Sequence, residues 1–301
     1  MLERKEVSNI NISFRSFHPF VIFFYYVCVG VFALFFNHPL FLLFSCLILV
    51  VVNITHDKGE ALKKWIPLLI GMSSVLIIMN ALLVPKGTHV LYEVFGRKVT
   101  VEATVYGGVM ALSISSILLL FISFNTILNG NKFLYIFSKF LPKIVFLTML
   151  SIRFVPLLKK RMDEIVDVQR IKGLSVATGT LKERMKNGMI FIQILLTWSL
   201  EEGMDTADSM TTRGYGIGKR SSYEPYRLNR RDKGWLVVLS ALFIFSILGG
   251  LNGSGRVVIY PELSSFSLGL LDCFVLISSV LILSFPLLVE GGEQLRWKYF
   301  N

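Results

Sequence analysis

Charge is scarce in this sequence: Asp, Glu, Lys and Arg make up 17% of its 301 residues, against about 25% in an ordinary soluble domain. Beside a hydrophobic share of 53% and a mean hydropathy of +0.63, that scarcity excludes a disordered chain and disfavours a soluble enzyme. Cysteine is scarce too. Cys28, Cys46 and Cys273 lie far apart, each inside an apolar run, which excludes a disulfide-built secreted scaffold and reads as three small buried side chains. His18, His38, His56 and His89 share no H-x-x-H spacing, and no C-x-x-C pair exists, so neither a metal site nor a cofactor is predicted. A small-x-small cleavage site is also missing after the charged stretch Glu3-Arg4-Lys5-Glu6, which predicts an uncleaved first helix and not a signal peptide.

What is abundant is uncharged length. A helix needs about 20 apolar residues to cross a hydrocarbon core of roughly 30 Å. From Ser16 to His56 no Asp, Glu, Lys or Arg occurs, and the run is broken only by Asn37-His38-Pro39, which reads as two spans and a tight turn. Further charge-free runs cover Trp65 to Pro85, Ala103 to Asn131 and Trp235 to Gly255, and Leu263 to Val289 is interrupted only by Asp272. The fold class is therefore an all-α polytopic membrane protein with about six transmembrane helices plus a cytoplasmic helical region. Its expected parts are a membrane region at 1–132 with four spans, a cytoplasmic or interfacial region at 133–234, and a membrane region at 235–301 with two spans. Phe133 to Val155 is kept out of the span count because Lys139, Pro142, Lys143 and Arg153 interrupt it. Met189 to Leu200 is too short to cross and has the length of a buried or interfacial helix. After Pro85, alternation over Val90 to Phe95 and Lys98 to Glu102 fits either a short external hairpin or a plain connecting loop.

Charge placement tests that arrangement independently. Residues 153–234 hold 16 of the 31 Lys and Arg and 10 of the 20 acids, whereas the only basic residues in the loops placed outside are Lys86, Arg97, Lys98 and Arg256. Six spans with both termini inside satisfy the positive-inside asymmetry, and they make the chain a multi-pass membrane protein with its basic region cytoplasmic.

The middle of every assigned span is uncharged, and Asp272 sits near the outer end of the last one. Ion-coupled carriers place ionisable groups within the bilayer, so this membrane part reads as a scaffold and the work enters through the basic region. There, Pro156 suits a first helical turn, and Leu158, Met162, Ile165 and Val166 form one stripe. Lys159 with Asp163 and Lys160 with Glu164 are spaced for i,i+4 pairs. That helix runs to Gln169-Arg170-Ile171-Lys172-Gly173, with Gly173 as its cap. A second helix, or a pair bent at Gly188 or Gly203, begins near Leu181 and reaches Thr212-Arg213-Gly214, where Gly214 ends it. A cation in a last turn followed by Gly has an ordinary explanation in the helix dipole and the left-handed cap. Two such tips, downstream of spans without ion ligands, are more telling.

Ser151-Ile152-Arg153-Phe154-Val155-Pro156, then Gln169-Arg170-Ile171-Lys172-Gly173, then Met210-Thr211-Thr212-Arg213-Gly214-Tyr215-Gly216 resemble the transmembrane T component of energy-coupling factor (ECF) type ABC transporters, which carries two Ala-Arg-Gly-type motifs at the ends of cytoplasmic coupling helices. The resemblance implies a non-catalytic subunit of an ATP-driven importer for vitamin or transition-metal uptake. Its partners would be two ABC-type ATPase subunits and a substrate-binding membrane S component, with Arg170, Lys172, Gly173, Thr212, Arg213 and Gly214 as the ATPase-coupling residues. Here Ile171-Lys172 replaces the Ala-Arg pair and Thr212 stands where Ala is usual. Lys172 keeps charge without the planar fork of Arg, so either the first motif couples more weakly or Arg170 shares its role, and Arg213-Gly214 is the stronger match.

Other constellations fail on their chemistry. Gly214 to Arg220 has the glycines of a phosphate loop, but a P-loop needs Gly at Arg213 and Ser or Thr at Arg220. Glu201 and Glu202 diverge by about 100° around a helix and read as a solvated face. The tract Arg227 to Lys233 directly precedes a span, so it reads as an anionic-headgroup anchor, with no nucleic acid as partner. An autonomous secondary permease is the alternative, disfavoured by the uncharged spans. A membrane enzyme using Asp163, Asp167 and Asp208 is disfavoured because each has an ordinary place on a helix surface.

Overall fold

A computed structural model describes residues 14–57, 59–84, 89–94, 97–218, 226–255, 257 and 269–300. Glu3 to Glu6, Lys86, Phe95, Gly96, Lys219, Arg220, Arg256 and the start of the last apolar run lie outside the described residues. Among the described residues the chain forms ten α-helices and one two-stranded sheet. In order they are α1 (Pro19–Phe35), α2 (Pro39–Asp57), α3 (Glu60–Leu83), β1 (Val90–Val94), β2 (Arg97–Thr100), α4 (Val101–Ile127), α5 (Gly130–Ser138), α6 (Pro142–Ile171), α7 (Leu181–Thr212), α8 (Arg230–Leu251), α9 (Leu270–Leu283) and α10 (Phe285–Phe300). The chain divides into two compact units, Met1–Phe133 with Tyr226–Asn301, and Leu134–Pro225.

In the first unit the uncharged runs become helices because a backbone in hydrocarbon must satisfy its own hydrogen bonds. Four of them, α2, α3, α4 and α8, are long and apolar enough to cross a membrane. The other two expected spans differ from the simple count. α1 has 17 residues, the lower limit for a crossing of about 17–25 residues. The last run is not one straight helix: α9 and the first part of α10 meet at a 56° bend. Pro286, two residues past the break at Ser284, explains the bend, because proline supplies no N–H and its ring crowds the carbonyl one turn back. At the break the buried Tyr25 hydroxyl donates to the Leu283 carbonyl at 3.1 Å.

α4 packs against α1, α2 and α3, and α8 against α9 and α1. Its approach to α3 is close enough that a Cβ on Gly107 would lie 3.1 Å from the Ile77 Cα. Lipid tails are as apolar as leucine, so packing and interhelical polar contacts hold such helices together. Asn53 donates to the Leu49 and Leu119 carbonyls at 2.8 and 3.1 Å. Tyr26 lies 2.7 Å from Ser123, and Ser246 lies 2.6 Å from Ser278. At one end of the bundle a 3-10 turn, Phe14–Ser16, drives the fully buried Phe14 edge-on against Tyr25 and Phe285, both at 5.5 Å.

The segment after α3 holds two paired strands and not a plain loop, with β1 and β2 antiparallel and a register shift between Val90 and Tyr92. Glu102, expected at the end of the second strand, is instead in the first turn of α4, where Thr100 caps the helix by accepting from the Ala103 N–H at 3.3 Å. Cys28 is buried as expected, but Cys273 is exposed on α9, because the outward face of a membrane helix is as apolar as its inward one. Asp272 sits in the first turn of α9 and accepts from the Gly269 N–H at 3.0 Å.

Candidate functional site

The second unit is dominated by two long helices that pack on one another, α6 and α7. α6 does not begin at Pro156. It starts fourteen residues earlier, with Pro142 in its first turn, and carries Pro156 in its interior. Only the Ile152 carbonyl loses its helical partner there, and Ile152 and Pro156 are both exposed, so other groups can solvate it. α7 begins at Leu181 and continues through Gly188 and Gly203 as one helix. Leu158, Met162 and Ile165 are at least partly buried, whereas Val166 is exposed and falls off the stripe. The expected Lys159–Asp163 and Lys160–Glu164 pairs are absent among the described ion pairs. Instead Arg161 reaches Glu164 at 2.6 Å and lies 4.7 Å from the centre of the Trp198 ring, pinning α6 to α7. The guanidinium fork satisfies a carboxylate and an aromatic face at once, which an ammonium does less well.

Both helix tips end in the same backbone motif. Lys172 takes φ −78° and ψ 4°, and Arg213 takes φ −79° and ψ 4°. The glycine that follows is left-handed in each, with φ +81° at Gly173 and +79° at Gly214. Gly173 and Leu174 donate to the Arg170 and Gln169 carbonyls, both at 3.0 Å, while Gly214 and Tyr215 donate to Thr211 and Met210 at 2.9 and 3.0 Å. These are Schellman caps, in which the last orphan carbonyls find donors as the chain turns away. A third such cap ends α8 at Asn252-Gly253, so the motif by itself is structural. The first two tips differ in what they hold outward. Lys172 and Arg213 occupy the position of Asn252, and Arg170 lies one turn behind Gly173. All three cations are exposed, and none is ion-paired among the described residues. Thr212, the last residue of α7, turns its hydroxyl back onto the Ser209 carbonyl at 3.0 Å.

Residues that the motifs do not include fix each tip. After the first, Arg184 Nε donates to the Val176 carbonyl at 2.6 Å and Asn187 to the Ser175 carbonyl at 2.9 Å. Thr180 opens α7 with a capping box, its N–H donating to Glu183 at 2.9 Å. That hydrogen bonding from the Thr180 backbone and side chain lowers the Glu183 pKa. At the second tip Tyr215 stacks on Phe146, with ring centres 5.2 Å apart and planes 25° apart. The apolar residue after a Gly cap is the recurring sequence sign of such an anchor; its partner, near the start of α6, carries no such sign. The contact puts the second tip beside the beginning of α6 and the first at its end. The 25 steps from Phe146 to Ile171 along α6 amount to about 38 Å of helix, so the tips lie at opposite ends of the unit. Along α7, Leu181, Met185, Met189, Leu196, Leu200 and Met204 are all exposed at helical spacing, an apolar stripe joining the two ends. Glu201 and Glu202 lie beside it, exposed and half-buried. Near the start of α8, Arg231 rests 4.1 Å from the centre of the Phe17 ring and 3.7 Å from Asp232.

Fold and site together define an all-α, multi-pass membrane protein with a charged two-helix unit that offers two matched cationic tips. The family model described as cobalt transport protein (CbiQ) matches residues 18–223, a range that contains both tips, and the chain belongs to that family. It is similar to proteins named energy-coupling factor transporter transmembrane protein EcfT. The one from Bacillus selenitireducens is 25% identical over 219 residues, 66% of this chain and 80% of that protein. The one from Leuconostoc gelidum is 27% identical over 183 residues, covering 57% and 67%. The match to the Exiguobacterium sibiricum protein, 28% identical over 101 residues, spans 38% of that relative's length.

Proposed function

We propose that this chain is the non-catalytic transmembrane coupling subunit of an ECF-type ATP-driven importer, linking two ABC ATPases to a separate substrate-binding membrane subunit. The observation that carries the reading is the pair of matching caps presenting Lys172 and Arg213 as exposed cations that have no ion pair among the described residues. A guanidinium or ammonium at a helix tip suits a carboxylate in a partner's groove, and the left-handed glycine lets the chain turn away without blocking the approach. Two tips roughly 40 Å apart favour two partner surfaces over one. The apolar stripe on α7 favours a further partner with an apolar face, the role assigned to the substrate-binding subunit. The relatives' names include energy-coupling factor transport and the family description names cobalt; which vitamin or metal is imported is read by that other subunit. The coupling residues in this proposal are Arg170, Lys172, Gly173, Thr212, Arg213 and Gly214, facing the cytoplasm.

Co-expression with candidate ATPases tests the core of this reading. The full chain should capture both ATPases, and ATP hydrolysis should appear only in the complex; hydrolysis by the chain alone, with contaminants excluded, would contradict it. Orientation has its own check. Single cysteines placed at 90–94 should react with an impermeant reagent in intact cells, and one at Ser175 should not. Labelling at Ser175 from outside would overturn the cytoplasmic assignment.

A further inference from the structure

Between α1 and α4 a cavity of about 240 Å³ opens from the side of the first unit, lined by Tyr26, Gly30 and Leu34 from α1 and Leu120, Phe121 and Phe124 from α4, among others. Gly30 makes the opening: a Cβ there would meet only the Leu120 Cδ2, at 3.5 Å. Leu34 and Phe121 at its rim are 71% and 55% exposed, so whatever surrounds these membrane helices reaches it directly. Among the described lining residues Tyr26 has the one polar side chain, and its hydroxyl is already 2.7 Å from Ser123 Oγ. Water there would lack the two to four polar partners it needs, so the occupant is apolar. From Tyr26 to Leu34 the groove follows about 12 Å of α1, over which a transmembrane helix about 10–12 Å across would occupy roughly 1,000 Å³, so against a cavity of about 240 Å³ a helix is too large to enter. A single hydrocarbon chain is not.

The Tyr26 end of the groove points toward the chain segments that flank the two helices. Arg15, which is exposed, precedes α1, and Lys132, which is half-buried, follows α4. They converge, since Lys132 Nζ donates to the Arg15 carbonyl at 2.8 Å, while the Arg15 guanidinium donates to the His56 carbonyl at 3.2 Å. Aromatic residues line the approach: Phe23 of α1 and Phe133 of α5 meet edge-on at 6.3 Å, the kind of ring found at the headgroup level. Two cations above an apolar slot match one molecule available in every bacterial bilayer. We propose that this groove is a lipid site holding one acyl chain of an anionic phospholipid, with Arg15 and Lys132 reading its phosphate.

The proposal requires only a membrane-embedded chain and does not depend on the coupling reading. Native mass spectrometry of the full-length protein, after incubation with equal amounts of phosphatidylglycerol and phosphatidylcholine, tests it. Phosphatidylglycerol should be retained preferentially, and each cation removed, Arg15→Gln or Lys132→Gln, should lower that preference roughly fivefold, as for a basic side chain near an anionic surface. Gly30→Leu fills the slot and should release both lipids, whereas Gly30→Ala adds one methyl in ordinary contact and should keep them; thermal unfolding of both variants verifies that they are folded. Equal retention of the two lipids by the unaltered protein would overturn the charge assignment and with it the proposal. So would undiminished phosphatidylglycerol on a folded Gly30→Leu protein. If Gly30→Leu keeps its lipid but loses a membrane subunit that co-purifies with the unaltered chain, the groove belongs to that protein and not to lipid.

Discussion

Arg213→Ala is expected to weaken capture of the ATPases by roughly 1.5–3 kcal/mol, the usual worth of hydrogen bonds to a charged group, and by more if the partner carboxylate is left buried. That corresponds to a loss of about ten- to more than a hundredfold in affinity, with uptake suffering at least as much. The membrane helices should be untouched, because Arg213 is exposed at the end of α7 and makes no ion pair among the described residues. Arg213→Lys keeps the charge but loses the fork, so it should retain part of the affinity. Lys172→Ala should be milder than Arg213→Ala while Arg170 remains, and the double variant Arg170→Ala/Lys172→Ala should expose the full worth of the first tip. The competing account is that these cations only complement the helix dipole, worth about 0.3–1 kcal/mol of local stability. Asn252 supplies the control: it occupies the same place in the same cap without a charge, and Asn252→Ala should alter neither assembly nor uptake. ATPase pull-down and ATP-driven uptake, each normalised to expression, separate the two accounts. An Arg213→Ala protein that assembles and transports normally would leave only the dipole.

Much of this was legible because two sequence signals have single physical causes. A charge-free run near 20 residues has few fates besides a membrane helix, and α2, α3, α4 and α8 follow the runs to within a few residues. A basic residue before a glycine at the end of a helical pattern announces a left-handed cap, and Gly173 and Gly214 both adopt it. What could not be read depends on contacts or on competing local costs. Pro156 looked like a helix start, yet one lost hydrogen bond on an exposed stretch is tolerated when strong helix formers continue beyond it. Pro286 lies inside the last run, whose apolar count alone says nothing of a break, and the chain bends beside it. Arg161 chose Glu164 and Trp198 over the lysine pairings, since the ring comes from a helix 37 positions away. The stacking of Tyr215 on Phe146 spans 69 positions and fixes the second tip; only half of that pair carries a signal.

Gly214→Val is expected to abolish ATPase capture about as fully as Arg213→Ala, although every charge is kept. Gly214 holds φ at +79°, a conformation that costs an ordinary L-residue roughly 1–2 kcal/mol and is a genuine outlier for a β-branched one. The tip must then abandon the cap. The Gly214 and Tyr215 N–H groups leave the Thr211 and Met210 carbonyls, Tyr215 is drawn from Phe146, and Arg213 points elsewhere. Gly214→Asn, which tolerates the left-handed region better, should recover part of the binding. Gly203→Ala is the matching control, because it sits inside α7 with nothing within 4 Å of an added Cβ and should only firm the helix, by roughly 0.5–1 kcal/mol. The double variant Arg213→Ala/Gly214→Val decides how the two residues act. If the glycine works by aiming the guanidinium, the double variant binds no worse than the weaker single one, a large coupling energy in the mutant cycle. Additive losses would mean that Gly214 contributes through its own contact with the partner, and unchanged capture by Gly214→Val would show that the direction of the tip does not matter at all.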